Sequence, residues 1–197
     1  MHCSVRPPIL IDGPHPPQHI ANMGVQLTTV RLVLRELDSE SEEDCRFMVA
    51  LLSEPGFRAF IADRGEVSLA EAAKYIERAC QSSYLKNGFG MYAVEEASSG
   101  RLLGVTGLIR RAGLEDVDLG FAFLEAHSGS GYATEAGEAA LRDALNRLQI
   151  SRVSAITTEA NTGSVNVLLK LGFSRSGFVT LPGKTEELVL FLRDLSS

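Results

Sequence analysis

The hydrophobic pattern becomes regular from Val25 onward, and it alternates between two periods. Val30 to Leu37 alternates around Leu32 and Leu34, a strand signature. A capping box at Ser39-Glu40-Ser41-Glu42 then predicts a helix with Phe47, Met48, Leu51 and Leu52 as its apolar stripe. A second box, Ser68-Leu69-Ala70-Glu71, opens a helix running through Ala72, Ala73, Ile76, Ala79 and Cys80. Two strands follow, Gly90 to Glu95 and Leu102 to Ile109, joined at Ser98-Ser99-Gly100. A further strand covers Val117 to Leu124. After a glycine-rich stretch, Leu141, Ala144, Leu145 and Leu148 mark one face of a helix from about Thr134 to Leu148. Arg152 to Thr157 reads as a strand, and Asn161 to Leu171 as a short helix with Asn161 at its N-cap and Gly172 after its end. Strands near Phe173 to Val179 and Glu187 to Arg193 close the chain. The order β-αα-βββ-α-β-α-ββ implies an α+β fold around a mixed sheet of about seven strands.

Residues 1–23 share none of this periodicity. They hold five of the seven prolines and three of the four histidines. This composition reads as a flexible arm, leaving 24–197 as the folded domain. His15 and His19 offer only a weak metal-binding reading.

Composition narrows the function. A formal net charge of -6 argues against a protein held to nucleic acid mainly by phosphate contacts, and against an anionic membrane surface. No apolar run reaches the length of a membrane span. The three cysteines, Cys3, Cys45 and Cys80, form no CxxC and no Cys/His cluster with ligand spacing, so no metal is expected. Cys45 and Cys80 fall in helical patterns as core thiols, which fits a reduced, cytoplasmic setting.

The segment that carries chemistry is Leu124-Glu125-Ala126-His127-Ser128-Gly129-Ser130-Gly131-Tyr132-Ala133-Thr134-Glu135-Ala136. A strand enters a turn with two glycines, and a long helix begins at once. Glycine admits close approach of the backbone to a ligand, and the unpaired N–H groups of a first helical turn attract an anion. A pyrophosphate suits such a cradle, although a plain strand-to-helix turn accounts for the glycines equally well. The spacing is neither G-x-G-x-x-G nor a P-loop. With His127 the only histidine after residue 23 and no G-x-S-x-G elbow, a hydrolase triad has little to draw on.

Leu119-Gly120-Phe121-Ala122-Phe123 followed by Gly129-Ser130-Gly131-Tyr132-Ala133-Thr134-Glu135-Ala136 resembles motif A of the GNAT acetyltransferase superfamily. In its Q/R-x-x-G-x-G/A signature, Ser128 takes the Q/R place, Gly131 the first glycine and Ala133 the last. Asn161-Thr162-Gly163-Ser164 with Leu168-Leu169-Lys170-Leu171-Gly172-Phe173 is similar to motif B of the RimJ/RimL-type branch, which includes ribosomal-protein N-terminal acetyltransferases. Thr29 to Arg35 and Gly88-Phe89-Gly90 resemble that branch's opening. The resemblance spans about Leu27 to Leu195.

The resemblance implies a sheet splayed between its fourth and fifth strands, with acetyl-CoA in the gap as co-substrate. It places Phe121, Phe123 and Leu124 along the pantetheine arm, Ser128, Gly129, Ser130, Gly131, Tyr132, Ala133 and Thr134 around the pyrophosphate, and Asn161 beside the cofactor. Asn161 serves equally as an N-cap. The chain departs from the family at two positions. Ile156 stands where many members carry a carboxylate, and Leu168 where many carry a tyrosine acid. Ser164 is then the candidate acid, or simply a residue of the helix's first turn, and Asp118 and Glu159 are candidate bases, or solvated charges. His127 is read as a surface residue of the cradle loop.

The implied reaction is attack of a primary amine on the thioester by a monomer or homodimer. A site without a strong base suits an α-amine, whose pKa is roughly 7.7–8, better than lysine at roughly 10.4. A protein N-terminus is therefore the favoured acceptor. A polyamine, amino acid or aminoglycoside, or a non-catalytic acyl-CoA-binding domain, are the alternatives. Phe57 to Val67 and Leu181 to Thr185 are expected to shape the acceptor side.

Overall fold

The computed structural model describes residues 24–196; the proposed arm at 1–23 lies outside them. The order is β1 (Gln26–Thr28), β2 (Leu32–Arg35), α1 (Glu42–Ser53), α2 (Pro55–Phe60), α3 (Leu69–Tyr75), α4 (Ser82–Asn87), β3 (Met91–Glu96), β4 (Leu102–Ile109), β5 (Val117–Phe123), α5 (Tyr132–Asn146), β6 (Arg152–Thr157), α6 (Thr162–Lys170), β7 (Ser174–Thr180) and β8 (Glu187–Asp194). The strands form one eight-stranded sheet in the order β1-β2-β3-β4-β5-β6-β8-β7.

Three elements differ from the sequence reading. The opening strand is two strands, because the chain reverses at residues 29–31 and leaves Val30 96% exposed. Alternation through Val30 therefore had no buried face to follow. Pro55 starts the unanticipated helix α2 at a position where its missing N–H matters least. Helix α3 continues past Cys80 through a π-helical turn, Ile76–Gln81, into α4, which ends at Gly88 in the left-handed region.

The caps follow local chemistry. At α3 the box is complete: the Ser68 N–H donates to Glu71 Oε2 at 2.8 Å, and the Glu71 N–H donates to Ser68 Oγ at 3.3 Å. At α1 the cap is Ser41, which accepts from the Asp44 N–H at 3.2 Å. Asp44 is fully buried and turns its carboxylate to Arg35 as a bidentate pair, 2.8 and 2.7 Å. That pair fixes α1 to β2.

One face of the sheet carries α5 and α6, where Leu141, Ala144 and Leu168 pack on Val117, Leu119, Val153 and Phe191. The other carries α1 to α4, where Met48, Leu51 and Ile76 meet Ala93 and Val105. Cys45 and Cys80 are buried free thiols on that side, and burial pushes the Cys80 thiol up to about 12.

The α5 crossover makes β5 and β6 the one parallel pair among the described strands. They are in register only at Val117↔Val153 and Asp118↔Ser154, whereas β5 pairs with β4 from Asp118 to Phe123 and β6 with β8 along its whole length. Beyond Asp118 the two strands diverge, and the sheet opens in its middle.

Candidate active site

The Leu124 N–H donates to Leu103 O at 3.0 Å. In an antiparallel ladder the hydrogen-bonding direction alternates along the strand. The backbone groups of Phe121 and Phe123 therefore face away from β4, toward the gap left by β6, while Leu124 is turned the other way. Of the three residues expected along an extended ligand, Phe121 and Phe123 on β5 and Leu124 just after it, Leu124 is thus the exception. Its side chain packs with the α1–α4 cluster.

Past Leu124 the chain makes a 3-10 turn, Glu125–His127, and reaches Gly129 and Gly131 with φ of 77° and 80°. Both occupy the left-handed region that disfavours any residue with a Cβ. No side chain caps α5, and its first intrahelical bond runs from the Glu135 N–H to Gly131 O at 3.1 Å. Among the described residues, the N–H groups from Gly129 to Thr134 meet no protein acceptor. A helix start so left open has the donor geometry that suits an anion.

These elements line one cavity of about 560 Å³. Its walls include Phe121 and Phe123 from β5, Ser128, Gly129, Gly131, Tyr132, Ala133 and Thr134 from the loop, and Asn161 and Ser164 from α6. Ser130 is outside the lining. Asn161 caps α6, its Oδ1 accepting from the Ser164 N–H at 3.1 Å. Ser164 Oγ engages no protein partner among the described residues, and Ser164 lines the same cavity.

The candidate bases stand apart. Glu159 is exposed and ion-paired to Arg175 at 2.8 Å, outside the cavity lining. Asp118 is 1% exposed on β5 and also outside that lining. Its Oδ2 receives the Arg111 Nε at 2.8 Å, and its Oδ1 has no hydrogen-bond partner. Burial pushes its carboxyl up to about 6, against the pull of Arg111 and the backbone N–H of Ile156. Both candidate carboxylates are therefore removed from direct contact with anything in the cavity.

Of the two segments expected to shape the acceptor side, the first supplies Phe57, Phe60 and Ile61 to the cavity and residues 181–185 supply none, while Leu51 and Glu54 enter without having been singled out for it. Leu51, Glu54, Phe57, Phe60 and Ile61, at the end of α1 and in and after α2, form a wall of the cavity. His127 and Glu125 join it from the 3-10 turn. Glu54 Oε1 accepts from the Glu125 N–H at 3.4 Å, and neither carboxylate is ion-paired among the described residues. Glu54 follows a helix whose apolar stripe was legible, but nothing local distinguishes it from a solvated charge. Leu168 is buried in the core, so the tyrosine acid of other sequences is replaced here by a packing residue.

An open helix start joined to a strand with one free edge suits a diphosphate on an extended amide-bearing arm, and the donor set fits coenzyme A. Comparison with known proteins points the same way. The model of the acetyltransferase (GNAT) domain matches residues 31–174. YjcK of Bacillus subtilis strain 168, described as a probable N-acetyltransferase, is 34% identical over 91 residues, 45% of this chain and 49% of YjcK. The chain spans about half the length of the curated relatives it matches first. Among solved structures, the RimL ribosomal L7/L12 α-N-protein acetyltransferase superposes with a TM-score of 0.72 at 17% identity, covering 88% of this chain and 96% of that one. Spermidine N-acetyltransferase from Vibrio cholerae, solved with CoA and spermine, gives 0.67 at 19% identity, covering 85% and 98%. At these identities the likeness is one of fold. The family match covers well over half of the sequence and contains both the splayed strands and the open helix start, and the chain belongs to the GNAT acetyltransferase family.

Proposed function

We propose that the protein transfers an acetyl group from acetyl-CoA to a primary amine, with a protein N-terminal α-amine as the favoured acceptor. The observation that carries this reading is the continuity of one cavity. It runs from the unpaired N–H groups of Gly129 to Thr134, past the free edge of Phe121 and Phe123, to Ser164 at the start of α6.

When bound, acetyl-CoA supplies the thioester. The N–H groups from Gly129 to Thr134 hold its diphosphate, the Phe121 and Phe123 backbone lines the pantetheine arm, and Asn161 keeps α6 oriented toward it. The neutral amine nitrogen bonds to the acetyl carbon as the C–S bond breaks, and the proton it then sheds passes to solvent. Ser164 gives a proton to the departing thiolate and is restored from solvent.

No carboxylate stands on β6 to take the amine proton, and Asp118 and Glu159 lie outside the cavity lining. An acceptor that is already partly neutral near pH 7 needs no such group. An α-amine meets that condition about two pKa units more readily than a lysine. The α-N-protein acceptor of the RimL neighbour is in line with this reading.

A small polycationic amine is the second reading. Glu54 after α1 and Glu125 in the 3-10 turn, neither ion-paired among the described residues, favour it, as does the spermidine acceptor of the other neighbour.

Thiol release from acetyl-CoA, measured against N-terminal peptides, internal-lysine peptides, polyamines and aminoglycosides, separates the readings. Preferred turnover of free N-termini is the expected result. Preference for internal lysines would overturn the α-amine assignment, and CoA binding without turnover on any amine would favour a non-catalytic acyl-CoA-binding domain.

A further inference from the structure

The turn between β1 and β2 reaches over a hundred residues along the chain to the back of the glycine loop. Arg31 Nε donates to Glu135 Oε2 at 2.6 Å, and its Nη2 lies at the same distance from that oxygen. The Arg31 N–H and the Thr29 hydroxyl both donate to Glu135 Oε1, at 3.0 and 2.6 Å. Arg31 Nη1 donates to Ser130 O at 3.1 Å, and the guanidinium lies 4.7 Å from the centre of the Tyr132 ring. One side chain therefore grips three consecutive features of the cradle: a loop carbonyl, the first helical residue and the first full turn of α5.

As a source of fold stability this contact is weak. Arg31 is half exposed, and solvent-screened ion pairs of that kind contribute little. Its geometric consequence is larger. In a trans peptide the C=O and the following N–H point in opposite directions. Drawing the Ser130 carbonyl back toward Arg31 turns the Gly131 N–H forward. Gly131 lines the cavity, whereas Ser130 and Glu135 do not. The left-handed φ of Gly131 is what lets the chain take this orientation and still enter a helix directly. Arg31 also offsets the charge of Glu135, which would otherwise repel an anion at the helix start.

We propose that Arg31 is the positioning residue of the phosphate cradle, fixing the Ser130–Gly131 peptide so that its N–H is presented to the diphosphate of the acetyl donor. This rests on the reading of Gly129 to Thr134 as the diphosphate site.

The test is CoA binding by the full-length protein, by calorimetry and by amide chemical shifts. In the wild type, CoA should move both the Gly131 and the Phe123 amides. In Arg31→Ala, affinity should fall about tenfold or more, the size of losing one hydrogen bond to a charged group. At saturating CoA the Phe123 response should persist and the Gly131 response should be lost, a split that general destabilisation would not produce. Arg31→Lys keeps the charge but cannot serve Glu135 and Ser130 together, so it should bind CoA with intermediate affinity. It carries the test if Arg31→Ala does not fold. Wild-type affinity with an unchanged Gly131 response in either folded variant would overturn the proposal. Failure of the wild type itself to bind CoA would overturn the diphosphate site, and this inference with it.

Discussion

Asp118 and Ser154 face each other on the last rung at which β5 and β6 are paired. Above them the sheet divides. The carboxylate at this junction is buried, held by Arg111 on one oxygen and without a partner on the other. The Ser154 hydroxyl donates across the same junction to Val117 O at 3.0 Å.

This placement gives Asp118 a pH signature. Its carboxyl titrates near 6 in the folded chain, above the ordinary 3.8. A raised acid pKa means that the stabilising contribution is present below the ordinary value and is lost as pH rises through 6. Asp118→Asn removes that titration. The stability of the wild type relative to the variant should therefore fall by about 1.4 kcal/mol between pH 5 and pH 8. Urea unfolding of both proteins across that range measures it. A constant difference would mean that Asp118 titrates normally.

Gly129 and Gly131 share a backbone conformation but not an environment. A Cβ at Gly129 would meet nothing within 4 Å, while one at Gly131 would lie 3.6 Å from Arg31 Nη2. Alanine at either position should weaken CoA binding by about 5- to 30-fold, since the left-handed conformation disfavours it by roughly 1–2 kcal/mol. Because the space at Gly129 is open, Gly129→Asn should recover much of the loss, as asparagine tolerates that region. Calorimetry with CoA decides, and equal weakening by Ala and Asn would show that side-chain bulk matters there.

The long, strongly periodic elements are legible in the sequence. β3 to β6, α5 and α6 fall where their apolar spacing put them, because each has a continuous buried face. The division at Val30 was hidden because a two-residue alternation continues through an exposed turn. The Arg31 clamp was hidden for a different reason. Arg31 and Glu135 lie 104 positions apart, and nothing local to either marks them as partners. The glycine loop and Asn161-Thr162-Gly163-Ser164 were legible because local backbone geometry selects those residue types. Glu159 and Asp118 carried no such signal, since a lone carboxylate looks the same whether it is solvated, paired or reactive.

Asp44 links α1 to the sheet and should be the most sensitive polar position outside the cavity. Its carboxylate receives both ends of the Arg35 guanidinium and the Asp38 N–H at 2.8 Å. Asp44→Ala leaves Arg35 with Glu95 and the Glu36 carbonyl, and the Asp38 N–H without its acceptor. Removing one partner of a buried pair costs about 3–5 kcal/mol, and the partial exposure of Arg35 argues for the lower end. A denaturation midpoint lowered by less than the equivalent of about 1 kcal/mol would show that the pair is dispensable.

Ser164 offers the sharpest division between structure and chemistry at the cavity. Its N–H belongs to the cap of α6, where Asn161 accepts it, whereas its hydroxyl engages no protein group among the described residues. Ser164→Ala therefore keeps the cap and removes only the hydroxyl. If that hydroxyl protonates the departing thiolate, kcat should fall about a hundredfold, the lower range for a positioned acid, with the KM for acetyl-CoA little changed. Asn161→Ala should act differently. It removes the cap, destabilises the protein by about 1 kcal/mol and raises the KM for acetyl-CoA by loosening α6 against the cavity. A kcat within twofold of the wild type for Ser164→Ala would make Ser164 an ordinary first-turn residue and leave solvent as the proton donor.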